Sequence, residues 1–214
     1  MGTPLPDAHS LRERQRADRE ALILEEAERV LSEHGYHELI MEQLAERVGI
    51  AKGTIYLHFP RKEDLAAIVI ERGLDRLTEE FALLVGEVNR PAEERLRVVI
   101  TRLQAGGKAW IAMMSGEDGR ALRGTLRDRP GMDQRRRRFL DALTALVDQG
   151  KAAGEFDPAI ASPVAAMALV TLVRAVAMHG KVELLGVDER AAAESVILLF
   201  FGGLNARPAH DRPA

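Results

Sequence analysis

Apolar residues recur along this chain three and four positions apart, the period of a helix buried on one face. Leu24, Ala27, Val30 and Leu31 make one such stripe. Its helix is predicted to open near Leu11, where Ser10 and Glu13 form an S-x-x-E capping box, and to end at Gly35. Leu65, Ile68, Val69, Leu74, Leu77, Phe81 and Leu84 trace another stripe, over about 62–85, stopped by Asn89-Arg90-Pro91. Further helices are predicted over 92–114, 118–127, 132–153, 162–180 and 188–205. Pro130-Gly131, Gly154 with Pro158, and Gly186 separate them, and Gly106-Gly107 suggest a kink in the first. No alternating run bounded by turns competes, and no internal repeat is visible. The pattern predicts an all-α chain of about nine helices.

Between the first two stripes lies the segment richest in information, IMEQLAERVGIAKGTIYLHFPRK, residues 40–62. Ala45 is small, where two helices must approach closely. Gly49 follows four residues later, where a helix must end with positive φ. Ile55, six residues on, points back to join Leu44, Val48 and Ile50. Pro60 closes a second helix of about 52–59, because proline disfavours helical geometry in the residue before it. This reads as a helix-turn-helix, the unit that lays its second helix in the major groove of DNA.

Composition narrows the class further. The chain has 214 residues, enough for one large domain or two small ones, with 46% hydrophobic residues and only 4% aromatic ones. Aliphatic and alanine-rich helix packing is therefore expected. There are no cysteines, which excludes disulfides, thiol catalysis and cysteine-ligated zinc. The first twenty residues lack an apolar signal core, and no run of 18 apolar residues occurs, so a cytoplasmic protein with no membrane partner is expected. No paired carboxylates, nucleophile–base pair or metal-ligand spacing stands out, which argues against an enzyme and implies no cofactor and no metal.

The net charge of −3 is unusual for a DNA binder, and residues 1–62 carry nine Lys/Arg against eleven Asp/Glu. Arg12, Arg14, Arg16, Arg19, Lys52, Arg61 and Lys62 bracket the reading helix, so a local positive patch on an acidic body is expected. Arg12, Arg14 and Arg16 suit either a minor-groove arm or a charged terminus paired with Glu13 and Asp18.

Leu24–Ala27–Val30-Leu31–Gly35-Tyr36, then Leu44-Ala45, Val48-Gly49-Ile50, Lys52-Gly53-Thr54-Ile55-Tyr56, Phe59 and Lys62-Glu63-Asp64-Leu65 together resemble the TetR-type bacterial transcriptional regulators. The resemblance covers roughly 17–77, with the motif at 40–59. One departure is Ile40, where the family usually has a capping Thr or Ser. The resemblance implies a three-helix DNA-binding head and a larger helical body for ligand binding and dimerisation. It implies a homodimer on a double-stranded, palindromic DNA operator, most often a repressor released by a small hydrophobic or anionic effector. The alternative is a helical adaptor or small-molecule-binding protein that no longer binds DNA. The expected organisation is an arm at 1–9, disordered, the head at 10–62, the body at 63–205 and a mobile tail at 206–214.

Candidate DNA contacts are Lys52, Gly53, Thr54, Tyr56, His58 and Lys62. Tyr56 can touch a thymine methyl with its ring and a phosphate with its hydroxyl. Gly53 permits close backbone approach. Lys52, Thr54 and His58 suit phosphate or base contacts, or are ordinary solvated side chains. Lys62 resembles a family phosphate clamp at a helix N-terminus. For the effector, Phe81, Trp110, Met113, Met114, Met167, Arg174 and Met178 are candidate pocket residues, since methionine adapts to varied apolar ligands, against the plainer reading as core. His179 suits orienting a ligand, or is a satisfied or exposed histidine. For the dimer seam the candidates are Val164, Ala168, Thr171 and Ala175 on one helix, with Val196, Leu199, Phe200 and Gly203 on the last. Arg135, Arg136, Arg137 and Arg138 step about 100° apart, so they read as a solvated, charge-balanced helix, or less simply as a polyanion site.

Overall fold

The structure is a computed structural model that describes residues 8–114, 116–178 and 186–205; the side chains of 8–10, 107–118, 176–178, 189 and 193 fall outside the description. Its helices are α1 (Ala8–Glu33), α2 (Met41–Val48), α3 (Lys52–His58), α4 (Lys62–Gly86), α5 (Ala92–Met114), α6 (Gly116–Asp128), α7 (Met132–Ala152), α8 (Ser162–Met178) and α9 (Glu189–Leu204). Among the described residues the chain is all-α, with one isolated β-bridge between Phe156 and Asn205. One boundary differs from expectation. Ser10 lies inside α1 rather than at its N-cap, because the helix is already formed at Ala8. Helix α5 runs without interruption through Gly106 and Gly107.

The chain divides into two compact units, residues 1–70 with 112–128, and residues 71–111 with 129–214. In the first, α1 packs on α2 and α2 on α3. Ile23, Leu24, Ala27, Val30 and Leu31 are the buried stripe of α1; Leu44, Ala45, Ile55 and Leu65 are buried on the helices that follow, and Phe59 just past the end of α3.

The turn between α2 and α3 follows from its sequence. Gly49 adopts φ 75°, ψ 33°, and its N–H donates to Glu46 O while Ile50 N donates to Ala45 O. These two bonds satisfy the last carbonyls of α2 and reverse the chain, a geometry that needs a residue with no Cβ penalty at positive φ. At the other end, Ile40 holds extended backbone (φ −104°, ψ 118°) and supplies no side-chain cap. Glu42, in the first turn, offers negative charge to the positive end of the helix instead.

The second unit has its own core. Phe81 and Leu84 of α4, Leu96, Val99 and Ile100 of α5, Leu143 and Leu146 of α7, Leu169 and Val173 of α8, and Phe200 and Leu204 of α9 meet in one cluster. Arg95 is buried and ties three elements: its Nη1 donates to Leu84 O at 3.1 Å and Gln149 Oε1 at 2.5 Å, and Gln149 Nε2 donates to Val85 O at 3.1 Å. A cation at the carbonyl end of α4 is favoured by the helix dipole. Glu155 does the reverse for α5, accepting from Ala92 N at 3.0 Å and Glu93 N at 2.9 Å. Asp75 accepts from Arg135 (2.9 Å) and Arg138 (3.5 Å), Glu71 pairs with Arg129, and Arg136 pairs with Asp133. The arginine run is thus largely balanced by carboxylates of α4 and of its own helix.

Candidate nucleic-acid interface

Helix α3 spans only two turns, so its faces are sharply divided. Ile55 is buried completely and Phe59, just past the end, almost so. Lys52, Gly53, Tyr56 and Leu57 are exposed on the opposite side, with Thr54 half-buried between. Tyr56 retains 38% of its surface and Leu57 78%. A rigid core side and a free outer side are what a groove-reading helix requires.

The outer polar groups are not idle. Lys52 Nζ lies 2.7 Å from Glu42 Oε1 of α2, and the Tyr56 hydroxyl donates to the same oxygen at 3.1 Å. The Lys52 ammonium, with smaller help from backbone and the Tyr56 hydroxyl, holds the Glu42 carboxyl below its usual range. Glu42 in turn raises Lys52. Partial desolvation, then the Glu42 carboxylate, raises the Tyr56 phenol.

Lys62 is the first residue of α4, and its Nζ sits 4.5 Å above the ring of Tyr36. The Tyr36 hydroxyl donates to Glu63 Oε1 at 2.9 Å. Gly53 has no heavy atom within 4 Å of where a Cβ would stand. The protein itself therefore does not demand glycine at that position.

His58 departs from expectation. Only 6% of its side chain is exposed, and Nδ1 lies 3.8 Å from Glu20 Oε2 of α1. The reason is phase: His58 follows Ile55 by three residues, so it shares the inward face. It is removed from the reading surface. Leu57 takes the outward place. Its offset from Ile55 already turns it outward, but an apolar side chain carries no signal of DNA contact in the sequence.

The body residues divide differently. Phe81 is buried, its ring 5.7 Å from that of Phe139, so it is core rather than the wall of an open pocket. Met167 is exposed on α8, on the same face as Val164, Ala168 and Thr171, so it is not gathered into an interior pocket either. Arg174 and Ala175 are exposed as well. The side chains of Trp110, Met113, Met114 and Met178, and all of His179, lie outside the described residues. A surface cleft of about 480 Å³ lies elsewhere in this unit, lined by residues including Arg90, Arg95, Gln149 and Glu155. None of the expected pocket residues lines it.

For the expected seam, Val164, Ala168, Thr171 and Ala175 of α8 and Leu199 and Gly203 of α9 are exposed. Val196 and Phe200 are not; both are buried in the core of their own unit. Leu198, exposed at 71%, takes their place beside Leu199. The apolar stripe of α9 was wider than one face, and only the packed structure divides it.

An all-α chain that presents the second helix of a helix-turn-helix outward, beside a helix N-terminus carrying lysine, has the build of a DNA-binding protein. Residues 23–69 match the family model of bacterial regulatory proteins, tetR family. The fatty acid metabolism regulator protein of Bacillus subtilis is 25% identical over 140 residues, 62% of this chain and 68% of that one. A TetR transcriptional regulator of Streptomyces coelicolor superposes with a TM-score of 0.62 at 29% identity, covering 87% of this chain and 98% of that one. The FadR regulator of Bacillus subtilis in complex with stearoyl-CoA shares the fold, with a TM-score of 0.56 at 23% identity over 86% of this chain and 98% of that one. Two other regulators match over 87 and 59 residues, only 38% and 32% of their own lengths. Residues 23–69 of the chain thus form a TetR-type DNA-binding head, and the relatives matched over more of its length are transcriptional regulators rather than enzymes.

Proposed function

We propose that the chain binds a palindromic DNA operator as a homodimer, represses the gene beside it, and is released by a small amphipathic effector with an apolar chain and an anionic end. The observation that carries the DNA reading is the outward face of α3, Lys52, Gly53, Thr54 and Tyr56, set on a core locked by Ile55 and Phe59. Lys62 at the head of α4 adds a cation where backbone N–H groups and the helix dipole already favour phosphate. The dimer reading rests on exposed apolar side chains on α8 and α9, Val164, Met167, Leu198 and Leu199. Four such residues on two adjacent helices are what a symmetric four-helix seam would cover. The effector class is supported by likeness to a regulator of fatty acid metabolism and to a fold-mate bound to stearoyl-CoA.

The test is a gel shift on the duplex upstream of the chain's own gene. Tyr56→Ala and Lys62→Ala are expected to abolish the shift while leaving the dimer intact. A thermal-shift series with saturated acyl-CoAs of increasing length is expected to raise the melting temperature and to release DNA in parallel. If both variants bind like wild type, the assignment of these contacts falls. A bound acyl-CoA that leaves the shift unchanged would sink the effector reading alone.

A second reading, a helical adaptor that no longer binds DNA, is favoured by one observation, the acidic Glu42 on the reading surface. Absence of any shift at low salt would select it.

A further inference from the structure

Two of the outward groups that a groove-reading helix would offer to DNA are already engaged in the free head. Lys52 Nζ and the Tyr56 hydroxyl both meet one carboxylate oxygen of Glu42, at 2.7 and 3.1 Å. All three side chains remain partly open to solvent, so a duplex arriving at this face meets them directly. We propose that Glu42 is a specificity-determining residue, whose carboxylate holds Lys52 and Tyr56 away from arbitrary duplex and yields them only to the operator. The inference rests on the DNA-binding reading above and adds to it the means by which that binding is made selective.

The argument is one of differences. On arbitrary duplex, attraction comes almost wholly from phosphates meeting cations. Using Lys52 there means separating it from Glu42 and leaving a carboxylate beside the phosphate chain. Like charges brought together in this way disfavour the wrong partner. On the operator the same separation is offset by base contacts. The freed carboxylate accepts only, and the donors a major groove offers it are the exocyclic amines of cytosine and adenine. The balance of the head agrees, since residues 1–62 carry more carboxylates than cations. A surface that is weakly attractive in general gains most from selectivity of this kind. The depressed carboxyl of Glu42 and the raised ammonium of Lys52 fit a pair that is charged in the free protein.

The test compares Glu42→Gln with wild type on the upstream operator and on a scrambled duplex of equal length, by fluorescence anisotropy across a salt series. Glu46→Gln makes the same charge change one turn further along α2 and serves as the control for bulk charge. For Glu42→Gln, affinity for the scrambled duplex is expected to rise about tenfold and operator affinity less than about threefold. The salt slope on the scrambled duplex should steepen by about one. Glu46→Gln should leave the ratio unchanged. An equal rise on both duplexes, a fall or no change on the scrambled duplex, or the same loss of ratio in Glu46→Gln overturns the proposal. A merely structural tie between α2 and α3 would lower the melting temperature of Glu42→Gln and leave the affinity ratio unchanged, which also overturns it. A wild-type chain that shifts neither duplex removes the DNA-binding reading itself, a result distinct from wild-type binding with an unaltered ratio in the variant.

Discussion

Ile40 and Gly49 stand at the two ends of α2 and show how single positions set the turn that the motif depends on. Ile40 leaves the first N–H groups of α2 without a side-chain acceptor. Replacing it with threonine would supply one, and Gln43 three residues on would complete a capping box. Ile40→Thr is therefore expected to stabilise the chain by about 1 kcal/mol in urea unfolding. Ile40 is partly exposed, so little burial is given up. Gly49 works in the opposite sense. Nothing stands within 4 Å of its missing Cβ, so Gly49→Ala meets no clash, only the left-handed backbone at φ +75°. That conformation costs a residue with a Cβ about 1–2 kcal/mol, and the loss should appear in the same unfolding curve. The glycine was legible from its place between two helical stripes. The inward turn of His58 is carried by its spacing from Ile55, although its polar type suggests a surface residue.

At the scale of elements, α3 and α7 each hold a glycine, for different reasons. In α7 a Cβ on Gly150 would lie 2.1 Å from the Phe156 ring and 3.0 Å from the Ala92 Cβ. The ring is itself fully buried, so it has no room to withdraw. Alanine favours the helix by about 1 kcal/mol over glycine, but overpacking of this kind costs about 1–3 kcal/mol or more. Gly150→Ala should accordingly lower the melting temperature, and Gly150→Ala with Phe156→Leu should recover part of the loss. Gly53 in α3 is the contrast. Its Cβ would meet open space, so Gly53→Ala should leave thermal stability equal or higher while weakening operator binding, as read by anisotropy. A drop in melting temperature, or full operator affinity, would show that the glycine is not there for DNA approach. Gly53 stood out in the sequence by its place in the motif; Gly150 did not, because the neighbour that crowds it arrives from a turn beyond the helix.

For the whole molecule, the exposed stripes of α8 and α9 bear on assembly. Leu198 and Leu199 are 71% and 69% exposed on an otherwise core-forming helix. An aspartate there would meet water in a single subunit but a buried apolar surface in a dimer. Leu198→Asp is expected to give a folded monomer by sedimentation, with operator affinity reduced about a hundredfold or more as two linked half-site contacts become one. A dimer that persists with unchanged affinity would place the seam elsewhere. Helix existence was legible throughout because a 3.6-residue stripe survives in the sequence whatever it packs against. Which side of α9 faces inward was not, because Val196, Leu198, Leu199 and Phe200 are all apolar and periodicity weighs them alike.

Local chemistry alone was enough for the helices, the Gly49 turn and the outward lysine and tyrosine of α3. Each depends on neighbours within one or two turns, and such information is written in order along the chain. The meeting of Glu42 with Lys52 and Tyr56, the Phe156 ring over Gly150 and the division of α9 into core and surface were decided only when separate elements packed. Their energies come from contacts between residues whose separation in sequence says nothing of their separation in space.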